Sequence, residues 1–341
     1  MPGVQEAVLL TKETTIRWLT GFTGSEAAVL LMEGKKYFVT DFRYAEMAEG
    51  QIPKSYKMVF DRPGKPVTCS MMRDAKTERV LVEESSLTAG DVRILVRETG
   101  VTTSPIDKTI SAMRSIKTAE ETELMRKGAK LTESAFSHIL TYMKPGVREC
   151  DLYAELIYYL HKHGSEPSFT PIIASGENSS MPHATVTERK LEAGDMVTID
   201  MGCKVGGICT DFTRTVAISG VVQKQELIYN IVADAQDRAI AAVKEGVEAS
   251  HIDDVARTVI TKAGYGDFFG HGTGHGVGYD IHEAPNVNGL SQAVLKAGMV
   301  ITIEPGIYLP KEFGVRTEDM VLVTENGCED FYGVSNKLVI I

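Results

Sequence analysis

The strongest constraint in this sequence is a conflict between charge and burial that occurs twice. Asp200 lies in MVTIDMGCKV (196–205) and Asp211 in ICTDFTRTVAI (208–218), runs whose Val, Ile, Thr and Phe read as half-buried strands. A turn around Val205-Gly206-Gly207 folds the runs into a hairpin. The midpoint between the two aspartates, 205.5, falls in that turn, so they are expected nearly opposite each other. Glu304 and Glu318 repeat the arrangement in MVITIEPGIYL (299–309) and GVRTEDMVLVT (314–324), with a midpoint at 311. Directly opposed residues have Cβ atoms about 4.5–5.5 Å apart. One acidic residue in a strand usually marks an edge that faces solvent. Two opposed pairs in apolar surroundings do not fit that explanation. A buried carboxylate pair shares a proton, meets a cation or binds metal.

The stretch Gly270-His271-Gly272-Thr273-Gly274-His275-Gly276-Val277-Gly278 adds two histidines among five glycines, with His282 seven residues beyond His275. Glycine permits close backbone approach. No Lys-Ser/Thr pair follows, so the stretch does not read as a phosphate loop. Imidazole beside carboxylates is a ligand set for divalent transition metals. Four carboxylates balance two divalent cations, which suits a dinuclear site that activates water.

The rest of the chain supplies a frame. Strand-like runs at 6–10, 27–32, 35–40 and 79–83 alternate with helical stretches such as 41–50 and 91–99, an α/β pattern. A break falls near 112. Beyond it, Thr118 and Glu121 form a capping-box pattern, and Leu124, Gly128, Leu131, Ala135 and Ile139 mark one helical face. Further helices are expected over about 150–163, 223–245 and 251–264, among strands that form antiparallel hairpins, an α+β pattern. Two domains are therefore expected, 1–112 and 113–341.

Composition excludes several classes. The 46 acidic and 36 basic residues give a net charge of −10, which disfavours nucleic acid and polybasic membrane contact. No uncharged apolar stretch reaches membrane-spanning length, and the N-terminus lacks a basic-then-apolar leader. Cys69, Cys150, Cys203, Cys209 and Cys328 are scattered and form no CxxC pair, which suits a cytoplasmic protein with reduced thiols. Cys203 and Cys209 are expected on opposite faces and so form no joint thiolate site. His138, His161, His163 and His251 read as surface or helix-end residues, and Asp253 and Asp254 as a solvated helix start.

The order Asp200, Asp211, His275, Glu304, Glu318 resembles the pita-bread metallopeptidases, which include methionine aminopeptidases, aminopeptidase P and prolidase. Several stretches are similar to the Xaa-Pro branch: SGENS (175–179) leading to Pro182-His183, HGTGHGVGYDIHEAP (271–285), EPGIY (304–308) and GVRTED (314–319). LTGFTGS (19–25) and TDFRY (40–44) resemble a creatinase-type N-terminal domain. The resemblance covers essentially the whole chain. It implies an α/β N-terminal domain followed by an α+β pita-bread catalytic domain. It also implies a peptide substrate, a homodimer, and hydrolysis of the Xaa-Pro bond by a metal-bridged hydroxide that attacks the scissile carbonyl.

The resemblance also implies residue roles. Asp211 and Glu318 bridge two metal ions, His275 and Glu304 bind one of them, and Asp200 chelates the other. Glu304 also takes the proton of the bridging water. His183 and His282 steady the scissile peptide, and His271 supports them. Arg316 shares the strand face of Glu318 and orders that carboxylate or the substrate. Manganese suits an oxygen-rich site with one imidazole, with cobalt or zinc as substitutes. Phe169, Tyr279 and Tyr308 are candidates for a proline pocket. The chain opens almost directly at its first strand, where the family usually has a preceding helix, so a short or truncated start is expected. Asn286 stands where some prolidases carry an Arg useful for a dipeptide carboxylate, which favours longer Xaa-Pro peptides. Methionine aminopeptidase-type activity and a catalytically silent peptide-binding protein are the competing readings. The second domain and Pro182-His183 weigh against the first, and the complete ligand set against the other. A metal-free creatinase-type activity is disfavoured on the same ground.

Overall fold

The computed structural model describes residues 6–61 and 66–341. The leaderless reading of the N-terminus rests partly on residues 1–5, which lie outside the described residues. The chain divides into two compact units, Met1–Met113 and Arg114–Ile341.

In the first unit, six strands form one sheet: β1 (Glu6–Leu10), β2 (Ala27–Met32), β3 (Lys35–Thr40), β4 (Tyr56–Phe60), β5 (Arg79–Val82) and β6 (Thr102–Pro105), in the order β4-β3-β2-β1-β5-β6. Only β2 runs antiparallel to its neighbours. The apolar runs are nearly continuous because both sheet faces are covered. Val8, Leu10, Val29 and Phe38 pack with Ile16 of α1 (Glu13–Thr20) and Ala48 of α2 (Ala45–Gln51). Ala7, Leu9 and Leu30 instead pack with Cys69 and Met72 of α3 (Val67–Asp74) and Leu95 of α4 (Ala89–Thr99). The chain leaves this unit through α5 (Asp107–Ser115).

The second unit starts its long helix α6 (Ala119–Leu140) at the expected capping box: the Glu121 amide donates to Thr118 Oγ1, and the Thr118 amide donates to Glu121 Oε2. Helices α7 (Glu149–Lys162), α8 (Gln223–Ala242) and α9 (Ala249–Lys262) complete the helical cover. Every strand pairing within this unit's sheets is antiparallel. After β7 (Glu166–Pro167) and β8 (Ile172–Ser175), the first acidic hairpin comprises β9 (Met196–Met201), β10 (Cys203–Val205), β11 (Ile208–Cys209) and β12 (Phe212–Ala217). Next come β13 (Gly274–Gly276) and β14 (Glu283–Val287). The second acidic hairpin comprises β15 (Val300–Ile303), β16 (Gly306–Leu309), β17 (Phe313–Arg316) and β18 (Asp319–Val323), followed by β19 (Cys328–Asp330).

The two hairpins differ in register. Val205 pairs with Ile208, so the turn is Gly206-Gly207 alone and Asp200 faces Thr213. Asp200 and Asp211 are therefore diagonal neighbours on one face and not directly opposed, because the turn is centred one residue later than the midpoint between them. In the second hairpin, Ile303 pairs with Asp319 and Gly306 with Arg316. That register sets Glu304 against Glu318, where the ladder divides between two sheets. At this break the backbone turns to other partners. The Glu304 amide donates to the Thr273 carbonyl, and the Glu318 amide to the Thr213 carbonyl. The second of these bonds ties the two acidic hairpins together. Among the described residues, no helix is long and apolar enough to cross a membrane.

Candidate metal centre

Asp211, His275 and Glu318 each offer a ligand atom, and these atoms lie within 4.8 Å of one another. Glu304 Oε1 is 3.3 Å from His275 Nε2, and Asp211 Oδ2 is 3.5 Å from the same nitrogen. Asp200 stands beside this group, held by Arg316, whose Nη2 donates to Asp200 Oδ2 at 2.6 Å. All five residues border one cavity of about 550 Å³. His183, His271, His282, Phe169 and Asn286 also line it, and so does Arg316.

Strand sterics and threonine hydroxyls set these side chains. Gly274 leaves no room for a Cβ, which would run into the Thr302 carbonyl, so β13 lies close against β15. Thr302 Oγ1 accepts from the His275 amide and donates to Glu304 Oε1, linking two candidate ligands. Thr213 Oγ1 donates to Glu318 Oε2 at 2.6 Å. Asp319, next in sequence, points to the opposite face and pairs with Arg214 at 2.7 Å.

The electrostatics leave a charge deficit. Burial, then the Glu318, Asp200 and Glu304 carboxylates, raise the Asp211 pKa well above the carboxylate range. Burial, then Glu304 and Asp200, do the same to Glu318. Burial raises Glu304 from 4.5 to about 7 against the opposing pull of Arg316. Burial lowers His275 to about 4, so its imidazole is neutral and able to ligate. Asp200 Oδ1 and Glu318 Oε1 are buried without a hydrogen-bond partner among the described residues. Orphaned carboxylate oxygens beside a neutral imidazole fit a divalent metal pair, which supplies the missing positive charge.

Several sequence-based placements change. Arg316 orders Asp200, not Glu318, because its guanidinium reaches across to β9, and its Nε also approaches Thr213 Oγ1 of β12 at 3.4 Å. Tyr308 is buried, and its hydroxyl bonds Arg316 Nη1 at 2.8 Å and His271 Nε2 at 2.9 Å. Of the three aromatic candidates, Phe169 lines the cavity, while Tyr279 packs against the core beneath it. Asp253 is not solvated: it is 1% exposed, pairs with Arg257, and accepts from the Thr273 amide and hydroxyl. Arg257 also donates to the Phe269 and His271 carbonyls, so this ion pair steadies the segment that carries His271 into β13. Burial, and then Arg316, lower the His271 pKa to about 4.

Glu149 was another residue without a sequence signal. It is fully buried and accepts from the amides and hydroxyls of Ser175 and Thr187 and from Asn178 Nδ2. This hub fixes the 175–180 turn that leads to Pro182-His183. Its partners are polar residues 26 to 38 positions away, which no local pattern connects.

Residues 123–325 match the description of Metallopeptidase family M24, and residues 5–116 match the Creatinase/Prolidase N-terminal domain. A protein of Pyrococcus furiosus named Xaa-Pro dipeptidase is 36% identical over 98% of this chain and 95% of its own length. Among solved structures, an Xaa-Pro dipeptidase from Bacillus anthracis superposes with a TM-score of 0.94 at 36% identity, covering 98% of this chain and 95% of its own. An X-Pro aminopeptidase from Thermotoga maritima gives 0.91 at 31% identity, covering 98% and 97%.

Proposed function

The chain belongs to metallopeptidase family M24, with a creatinase/prolidase N-terminal domain, and from that premise we propose its reaction and the roles of its residues. It is a metal-dependent Xaa-Pro peptidase that hydrolyses the bond before proline at the second position of a peptide. The observation that carries the reading is the buried group of four carboxylates and one neutral imidazole, with two carboxylate oxygens that lack a hydrogen-bond partner among the described residues.

Asp211 and Glu318 would hold both metal ions, His275 and Glu304 one, and Asp200 the other. When bound, the metal pair supplies an activated water and electrophilic stabilisation of oxygen charge. Glu304 Oε1, 3.3 Å from His275 Nε2 in the same cavity, is placed to accept the proton of the attacking water. His183 and His282 border the cavity from separate segments and orient the scissile carbonyl. Arg316 keeps Asp200 aimed inward, and Tyr308 fixes His271. A dedicated enzyme is required because the Xaa-Pro amide lacks the N–H by which extended substrates are usually held.

Manganese is the metal that the oxygen-rich donor set supports. The exposed Asn286 supports peptides longer than dipeptides. The cytoplasmic assignment is supported by five free cysteines, and the homodimer by the family resemblance. One assay tests the core reading: the purified, manganese-loaded protein is offered Gly-Pro, Xaa-Pro-Xaa and Met-Ala-Xaa peptides. Cleavage before proline is expected, and its absence with every divalent metal tried would overturn the assignment. Sedimentation as a monomer would remove the dimer.

A further inference from the structure

His282 lies between two acidic side chains that are fixed from elsewhere. Arg114 Nη2 lies 2.9 Å from Asp280 Oδ2 and 2.7 Å from Glu283 Oε2. Lys117 Nζ donates to Glu283 Oε1 and, at 2.8 Å, to the Arg114 carbonyl. The side chains of Arg114, Lys117 and Glu283 are 5%, 3% and 9% exposed. Desolvating such a group cancels most of its Coulombic gain, and apolar packing of equal volume serves stability as well. What the cluster adds is geometry.

That geometry centres on the loop between β13 and β14. The β13–β14 register shifts between His275, which pairs with Asn286, and Gly276, which pairs with Glu283. The placement of Glu283 therefore sets the path of the loop. Gly278 lies so close that an added Cβ would collide with the Glu283 carboxylate, and its carbonyl accepts from the Cys209 amide at 2.8 Å. His282 itself is exposed, and its ring meets that of His275 edge-on with centroids 4.4 Å apart. An exposed side chain on a loop gains a fixed position mainly from its backbone. Here the backbone is pinned at Asp280 and at Glu283, on both sides of the histidine.

We propose that Arg114, Lys117, Asp280 and Glu283 form a clamp that positions His282 against His275 at the cavity. The proposal rests on the reading of His282 as a substrate-orienting residue. Lys117 is a positioning residue that acts through the loop.

The test compares Lys117→Met and Lys117→Arg, each with and without His282→Ala, in manganese-loaded protein. Lys117→Met is expected to lower kcat about tenfold or more with KM within about threefold and metal content unchanged, and Lys117→Arg to restore most of the loss. In the His282→Ala background, Lys117→Met should cost less than about twofold, since the group it positions is gone. Histidine-labelled NMR of the zinc-loaded protein, where the metal is diamagnetic and leaves the ring signals sharp, gives a readout independent of turnover. The His282 ring signal, identified by its loss in His282→Ala, should move in Lys117→Met while those of His138, His161, His163 and His251 stay. Equal losses in both backgrounds, or an unmoved His282 signal, would overturn the clamp. If Lys117→Met does not fold, Asp280→Asn, at the more exposed end, carries the same comparison. Failure of the unsubstituted protein to cleave Xaa-Pro peptides would remove the functional reading, while the ring signal would still decide the clamp.

Discussion

Two buried charge clusters lie in the catalytic unit, and they are balanced in opposite ways. The clamp sets Arg114 and Lys117 against Asp280 and Glu283, two cations against two anions. The metal centre sets Asp200, Asp211, Glu304 and Glu318 against Arg316, which bonds only to Asp200 among them. Solvent charges both groups the same desolvation cost per ion. The clamp meets that cost from its own side chains. The metal centre leaves carboxylate oxygens without partners among the described residues and holds protons that carboxylates normally release. A balanced buried cluster is a structural device, whereas an unbalanced one marks a place for a ligand of opposite charge.

The largest expected effect breaks this contrast directly. Asp211→Asn or Glu318→Gln removes a carboxylate from the unbalanced side. Activity should fall by more than about 100-fold, the upper end for residues that merely support a ligand, and metal stoichiometry should drop below two. Yet the metal-free variant should melt no lower than the unsubstituted apo protein, because the cost of keeping that buried carboxyl protonated has gone. Glu283→Gln removes a carboxylate from the balanced side and strands Lys117, with an expected cost of about 3–5 kcal/mol. Full activity in either metal-centre variant, or equal destabilisation of the apo protein at both sites, would end the comparison.

The next effect is in pH. Glu304 holds its proton to about 7 in the folded protein but only to about 4.5 when unfolded. Between those values the folded state binds more protons than the unfolded state, so apo stability falls as pH rises. Stability present below about 4.5 is progressively lost through about 7, and Asp211 and Glu318 act in the same direction, against a smaller opposite contribution from His271 and His275 between about 4 and 6.5. Metal binding requires the deprotonated carboxylates and should reverse the trend. Thermal melts of EDTA-treated and manganese-loaded protein should therefore diverge as pH rises from 4.5 to 8. A gap that stays constant across that range would sink the argument.

The hairpins were legible in the sequence because alternation, glycine turns and misplaced charge are local signals. The opposed pair Glu304 and Glu318 followed from counting alone, since their strands keep one register across the break. The same counting displaced Asp211 by two residues, because a two-residue turn at Gly206-Gly207 centres one position later than the interval between the aspartates. The clamp was invisible: Lys117 and Glu283 stand 166 residues apart, and each alone resembles a solvated charge. Asp253 misled for a related reason. Adjacent aspartates at 253 and 254 read as a solvated helix start, and only the fold shows Thr273 and Arg257 delivered onto the first of them.

The smallest effect sharpens the contrast at the strand the two clusters share. β14 carries Glu283 of the clamp and, in register with His275, the exposed Asn286. Asn286→Arg would add one cation on the deficient side without adding a metal ligand. An exposed charge pair contributes only about 0.2–1 kcal/mol, so kcat/KM for Gly-Pro should rise by about 1.4- to fivefold through contact with the free carboxylate. An Xaa-Pro-Xaa peptide, whose proline carboxyl is an amide, should gain nothing. The metal-free variant should also melt slightly higher at pH 7, as the added guanidinium offsets part of the acidic excess. A ratio of dipeptide to tripeptide turnover that does not move would show that Asn286 lies outside the reach of the substrate carboxylate. An unchanged apo melting temperature would show that its field is screened from the metal centre.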